Sequence, residues 1–295
     1  MNKMLSNKKA IILFTAPALF VFTLIVFYPI LQTVYYSFFN WDGLSTPIFT
    51  GLKNYSKLFQ DPLFYQSTLN GLIFAAVLVV FQIGIATVLS FALLRQNIPF
   101  RRFFRSSYFI PVVLSVTVVC QLWSAIYDPS FGLLNKLFAA IGIPFRQQWL
   151  SNPHEPVAIL AVAFVNMWEC AGYQFAIIYA GVKSIPAQYH EAARIDGATE
   201  FQLDLHILMP MLSDTFRMCL IIAITGGINA YAHINLMTAG GPGTATYTLT
   251  YMTFRSAFVV GKYGYGCTVS VALVIQCILA MLIVNRVFDR RSVTY

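Results

Sequence analysis

The chain has 295 residues, 58% of them hydrophobic and 10% charged, with a formal net charge of +8. Soluble globular domains carry roughly 25% charged residues, so this composition excludes a water-soluble domain and places the chain in a bilayer. Nucleic-acid binding is a poor reading of the positive balance, because no basic stripe with interleaved aromatics occurs.

Crossing a bilayer takes about 20 apolar residues in a helix, and only helices or closed barrels satisfy their own backbone groups there. Six runs qualify, and none shows the alternation of barrel strands. The first, Ala10–Val34, is interrupted by Pro17 and Pro29. It is too long for a signal-peptide core, and no small-residue cleavage site follows it. The loop Gly43–Asp61 leads to the second run, Gly71–Leu94, and a basic stretch leads to the third, Tyr108–Ile126. The loop Asp128–His154 precedes the fourth run, Val157–Val182. A polar insert over 183–213 separates it from the fifth, Phe216–Met237. A short interfacial helix is predicted within Thr246–Phe258, before the sixth run, Gly264–Val284. Asp61-Pro62 and Asp128-Pro129 each favour the start of a turn. The predicted fold is an all-α integral membrane protein with six transmembrane helices, one domain over residues 1–295.

Orientation follows from the basic residues. Lys3, Lys8, Lys9, Arg95, Arg101, Arg102, Arg105, Lys183, Arg194, Arg217, Arg286, Arg290 and Arg291 share one side if six spans are correct. Lys53, Lys57, Lys136, Arg146, Arg255 and Lys262 occupy the other. The positive-inside bias puts both termini and the 183–213 insert in the cytoplasm.

Chemistry-bearing motifs are sparse. Cys120, Cys170, Cys219, Cys267 and Cys277 lie in or beside apolar runs without C-x-x-C spacing and read as small buried hydrophobes. His190-Glu191 opens like H-E-x-x-H, but Arg194 stands where the second histidine belongs, so no metal site follows. The glycine-rich Thr238–Gly243 has no lysine after it and follows an apolar run rather than a strand, so it is no phosphate loop. No nucleophile–base arrangement, and no cofactor, is expected.

The insert is the most organised polar stretch. Ser184 reads as an N-cap and Pro186 suits a first turn, which predicts a helix from Ile185 to Asp196. Gly197 fits as its left-handed stop. Thr199 with Gln202 forms a capping-box pattern that opens a second helix. Phe201, Leu205, Leu208 and Leu212 are expected on one face of it, and Pro210 is expected to kink or end it. Ala192 and Ala193 allow close approach of another surface, and Glu191 offers a carboxylate to a basic partner. These features equally suit an amphipathic linker lying on the membrane surface.

E-A-A-R-I-D-G-A at Glu191–Ala198, followed by I-L-M-P, resembles the E-A-A loop in membrane subunits of ABC importers, with Met209 in place of the usual leucine before Pro210. T-A-G-G-P-G-T-A-T-Y-T-L at Thr238–Leu249 and the stretch Phe49–Phe64 resemble the sugar branch of that family, Ala239 standing in for a glycine. The likeness covers essentially the whole chain. It implies a subunit of a bacterial or archaeal cell-membrane importer for a carbohydrate. Its implied partners are cytoplasmic ATPase subunits, a second permease subunit and an extracytoplasmic solute-binding protein. The insert would be a coupling helix docked on the ATPase. Glu191 would supply an ion pair, Ala192 and Ala193 the close-packed surface, Asp196-Gly197 the bend, and Pro210 the return to the membrane.

Polar residues inside spans are costly and usually face a cavity or a partner. The fourth run holds Asn166, Trp168, Glu169, Tyr173 and Gln174; the fifth holds Asn229, Tyr231, His233 and Asn235. Amides and rings together suit a sugar, and the resembled permeases line their cavity with these two spans. Asn166, Tyr173 and Asn229 are therefore the expected substrate-path residues, the alternative being hydrogen bonds between helices. Glu169 reads either as a partner for the second subunit or as a site for a substrate amine. His233, with no second titratable residue near it on its own span, reads as a packing residue with one hydrogen bond. The competing function class is a self-sufficient secondary transporter or channel, which should show related halves or charged relays. No internal repeat is visible, and Glu169 and His233 are the only ionisable residues near mid-span.

Overall fold

The computed structural model describes residues 8–94, 100–143, 147–152 and 156–289. Of the residues used above, Lys3, Arg95, Arg146, His154, Arg290 and Arg291 lie outside the described residues. In chain order, an apolar helix α1 (Ile11–Tyr36) leads to an antiparallel hairpin of β1 (Phe39–Asn40) and β2 (Ile48–Phe49) and to helix α2 (Lys53–Gln60). There follow α3 (Pro62–Leu94), α4 (Arg101–Val113), α5 (Val116–Ile126), α6 (Leu133–Ala140) and α7 (Val157–Ser184). The insert forms α8 (Ala187–Ile195) and α9 (Glu200–Leu203), the latter prolonged by a π-helical turn, Asp204–Leu208, and one further turn, Met209–Met211. The chain closes with α10 (Ser213–Ile228), α11 (Ala232–Met237), α12 (Leu249–Phe254) and α13 (Tyr263–Asp289).

Among the described residues five helices are long and apolar enough to cross a membrane: α1, α3, α7, α10 with α11, and Tyr263–Phe288 of α13. A sixth span exists only if α4 and α5 count as one, and they meet at 99°. The predicted span Tyr108–Ile126 thus contains an elbow. Pro111 removes an amide from the last turn of α4. The chain then runs extended through Leu114 and Ser115, with ψ of 150° and 134°. α3 begins at Pro62 rather than Gly71, because Ser67 and Asn70 are buried in its first turns instead of lining a loop. The predicted fifth run is broken as well, at Asn229–Tyr231, where Tyr231 leaves helical geometry (φ −133°, ψ −57°).

The described residues form two compact units. The first gathers the chain up to Asp61 with Met252–Ala272. In it Asn54 Nδ2 donates to the carbonyls of Ser37 and Phe39, and Thr268 Oγ1 donates to Ser37 O, pinning the hairpin base. Asp42 Oδ1 accepts from the amides of Leu44 and Ser45, and these bonds hold its carboxyl at a pKa of about 2. The second unit gathers Pro62–Tyr251 with the chain from Leu273 onward. Its centre is α7, which packs against α3, α4, α5, α10 and α11. Small residues let these helices meet closely, the usual device where lipid removes the hydrophobic drive for helix association. A Cβ on Gly227 of α10, for example, would collide with the backbone of Ala75 on α3.

Candidate functional site

The insert departs from α7 at Ser184, whose Oγ donates back to Gly181 O at 2.7 Å. Ser184 therefore ends one helix instead of capping the next. Pro186 takes the N-cap position of α8 in extended geometry, with no side-chain cap. At the other end Gly197 adopts φ 77°, as the sequence predicts. Gly197 N donates to Arg194 O and Ala198 N to Ala193 O, which together close a Schellman motif. The capping box is formed: Gln202 N donates to Thr199 Oγ1 at 3.3 Å, and Thr199 N to Gln202 Oε1 at 2.8 Å. Across the bend Arg194 and Glu200 pair at 3.0 Å.

Glu191, Ala192, Asp196 and Pro210 are exposed. Ala193 is buried within the chain, so it does not share the surface assigned to it with Ala192; Ile195, 86% exposed, presents the larger apolar surface on α8. The predicted face of the second helix is also corrected. Phe201 is 71% exposed and Leu205 is exposed, whereas Leu203, Leu208 and Leu212 are buried. The π-helical turn Asp204–Leu208 adds a residue to the repeat, so Leu203 rather than Leu205 or Phe201 shares the buried face with Leu208 and Leu212. A groove of about 850 Å³ opens beside α8, lined by Lys183, His190, Glu191 and Arg194 together with Phe91 and Leu94.

A second constellation lies between α7 and α11. Asn166 Nδ2 lies 3.2 Å from His233 Nδ1, and His233 Nε2 lies 2.6 Å from Glu169 Oε2. With the Asn166 amide donating to Nδ1, Nε2 carries the ring proton and donates it to the Glu169 carboxylate. Glu169 and His233 are both buried. His233 is therefore not a lone packing histidine, and the partner of Glu169 is a residue of its own chain. The two ionisable groups, 64 residues apart, were each visible in the sequence; that both are costly in lipid was the signal for their pairing. Tyr173 is 46% exposed and does not join them. Asn229 sits at the end of α10, donating to Thr225 O at 2.9 Å and Cys277 Sγ at 3.3 Å.

Behind α11, the Thr238–Leu249 loop is closed by its own hydrogen bonds. Tyr251 Oη donates to Ala239 O at 2.6 Å, and Thr246 Oγ1 donates to Gly241 O at 3.0 Å. Asn70 of α3 holds the loop from outside, Nδ2 donating to Ala245 O at 2.8 Å and Tyr247 O at 2.9 Å. Thr248 Oγ1 donates to Ala230 O at 2.6 Å, satisfying a carbonyl freed by the break after α10. Sequence reasoning missed Asn70; an amide in the first turns of an apolar helix was its trace.

Five long apolar helices among the described residues, with an exposed and tightly capped polar insert, define a multi-pass membrane protein. Residues 10–293 match the family described as binding-protein-dependent transport system inner membrane component. The chain belongs to that family. It is 37% identical to the probable ABC transporter permease protein YurN of Bacillus subtilis, covering 94% of this chain and 95% of the relative. The diacetylchitobiose uptake system permease protein NgcF of Streptomyces coelicolor is 28% identical, with 92% and 81% covered. The fold matches a chain of a bacterial alginate ABC transporter in complex with an alginate pentasaccharide-bound periplasmic protein. That match has a TM-score of 0.81 at 19% identity, covering 98% of this chain and 96% of that one.

Proposed function

We propose that this permease subunit carries a carbohydrate, an oligosaccharide by preference, from an extracytoplasmic binding protein into the cytoplasm, driven by separate ATPase subunits seated on α8. The observation that carries the reading is the geometry of E-A-A-R-I-D-G-A: a short helix closed by left-handed Gly197, with Glu191 and Ile195 exposed. A rod of this kind, stiffened by the Schellman motif and the Arg194–Glu200 pair, transmits force without bending. Both termini and the insert face the cytoplasm, as the basic residues argue. A second, related permease subunit completes the pathway. Relatives named for diacetylchitobiose and arabinooligosaccharide transport support the substrate class. Tyr173 and Asn229, both exposed, are the residues of this chain offered to substrate.

Gly197→Pro and Glu191→Lys are the test. Proline cannot adopt a positive φ, and a lysine facing a basic partner replaces attraction by repulsion. Both variants are expected to lose ATP-driven uptake in reconstituted vesicles by roughly tenfold or more while remaining folded. Unchanged uptake and unchanged substrate-stimulated hydrolysis in both would sink the assignment. Cargo movement by the purified chain alone, on an ion gradient, would favour a self-sufficient carrier or channel instead.

A further inference from the structure

We propose that His233 is a positioning residue for transport: it bolts α11 and the Thr238–Leu249 loop to α7, the helix that ends in the insert. The inference rests on the coupling role proposed for α8.

α11 has six residues, bounded by the break at Asn229–Tyr231 and by Ala239 at φ 47°. So short a helix has no stability of its own and takes its position from tertiary anchors. The loop behind it is internally braced, so helix and loop act as one block. Asn70 ties the block to α3 and Thr248 ties it to the end of α10. His233 ties it to α7, where Asn166 and Glu169, three residues apart on one helical face, grip the two ring nitrogens. One hydrogen bond would let the imidazole swing; two fix both its place and its plane.

Stability does not explain this arrangement. A buried carboxylate–imidazole pair is often no better than two apolar side chains of similar volume, because desolvation offsets the attraction. Among the described residues, two thiols also face the Glu169 charge, Cys120 on α5 and Cys170 on α7. Glu169 lies 15 residues from Ser184, about 22 Å along a continuous helix. Ser184 is followed within three residues by α8. A displacement of α8 therefore reaches the block through α7, provided the bolt holds.

The test needs no identified cargo. A cysteine placed at exposed Thr244 (T244C) is labelled with a membrane-impermeant maleimide in the assembled transporter, with ATP and vanadate or without nucleotide. The nucleotide-dependent change in labelling rate, about fivefold in the parent, is expected to fall below about twofold in E169L/H233L. That variant replaces the pair by apolar side chains and is expected to assemble with the ATPase. It is expected to survive in H233Q, whose amide can meet both neighbours. If E169L/H233L fails to assemble, H233L against H233Q at matched abundance decides in the same way. Full nucleotide dependence in the leucine variants, or none in the parent, overturns the inference. Failure of any ATPase to co-purify with the parent overturns the underlying reading instead.

Discussion

Ala239 holds φ 47°, a region that costs an L residue about 1 kcal/mol and costs glycine almost nothing. It occupies the place where the sugar-branch pattern has glycine, so the departure legible in the sequence is paid in backbone strain. Ala239→Gly is expected to raise the melting temperature of the purified protein by about 2–4 °C, read by thermal unfolding in detergent; no change would mean that the loop relaxes around alanine. The buried histidine shows the opposite kind of legibility. Glu169 and His233 stood out individually as ionisable groups in apolar runs. That they face each other depends on how α7 and α11 are placed, which no local pattern encodes. Asn166 suits a substrate residue for the same reason that it serves as a clamp: an amide in a span must have a partner, and the sequence names the need without naming who meets it.

At the level of elements, the ends closed by their own local chemistry are legible, whereas the starts of α3 and α8 and the helix interiors are less so. The Gly197 stop and the Thr199–Gln202 box depend on residue chemistry within four positions of each other, and they form as expected. The face of the second insert helix depends on a regular repeat, and the π-helical turn at Asp204–Leu208 breaks that repeat. Leu208→Ala should therefore cost about 2–5 kcal/mol, the range for a fully buried leucine. Phe201→Ala should stay within about 0.5 kcal/mol. Equal losses in a denaturation series would restore the regular face. The break in the predicted fifth run escaped for a related reason: Asn229, Ala230 and Tyr231 carry no proline or glycine, and the bend is held by Thr248, 18 residues further on.

On the scale of the molecule, apolar length picks out the five long helices and places the sixth run on α4 and α5, without showing the elbow between them. α1 exposes large apolar side chains along its length, and none of its most apolar stretch is buried within the chain, as befits a helix whose surroundings are lipid or another membrane subunit. The elbow at Leu114–Ser115 has a different bearing on the surroundings. α5 has 11 residues and so rises only about 17 Å, little more than half of a hydrocarbon core. The first amides of α5 and the last carbonyls of α4 have no partners inside their own helices, and oil cannot supply them. The corner therefore needs polar partners from outside these two helices, and water reaching it would supply them. Deuterium uptake at Val116–Val118 is expected to outpace that of the central turns of α7; equal protection would place the corner in a fully dry setting.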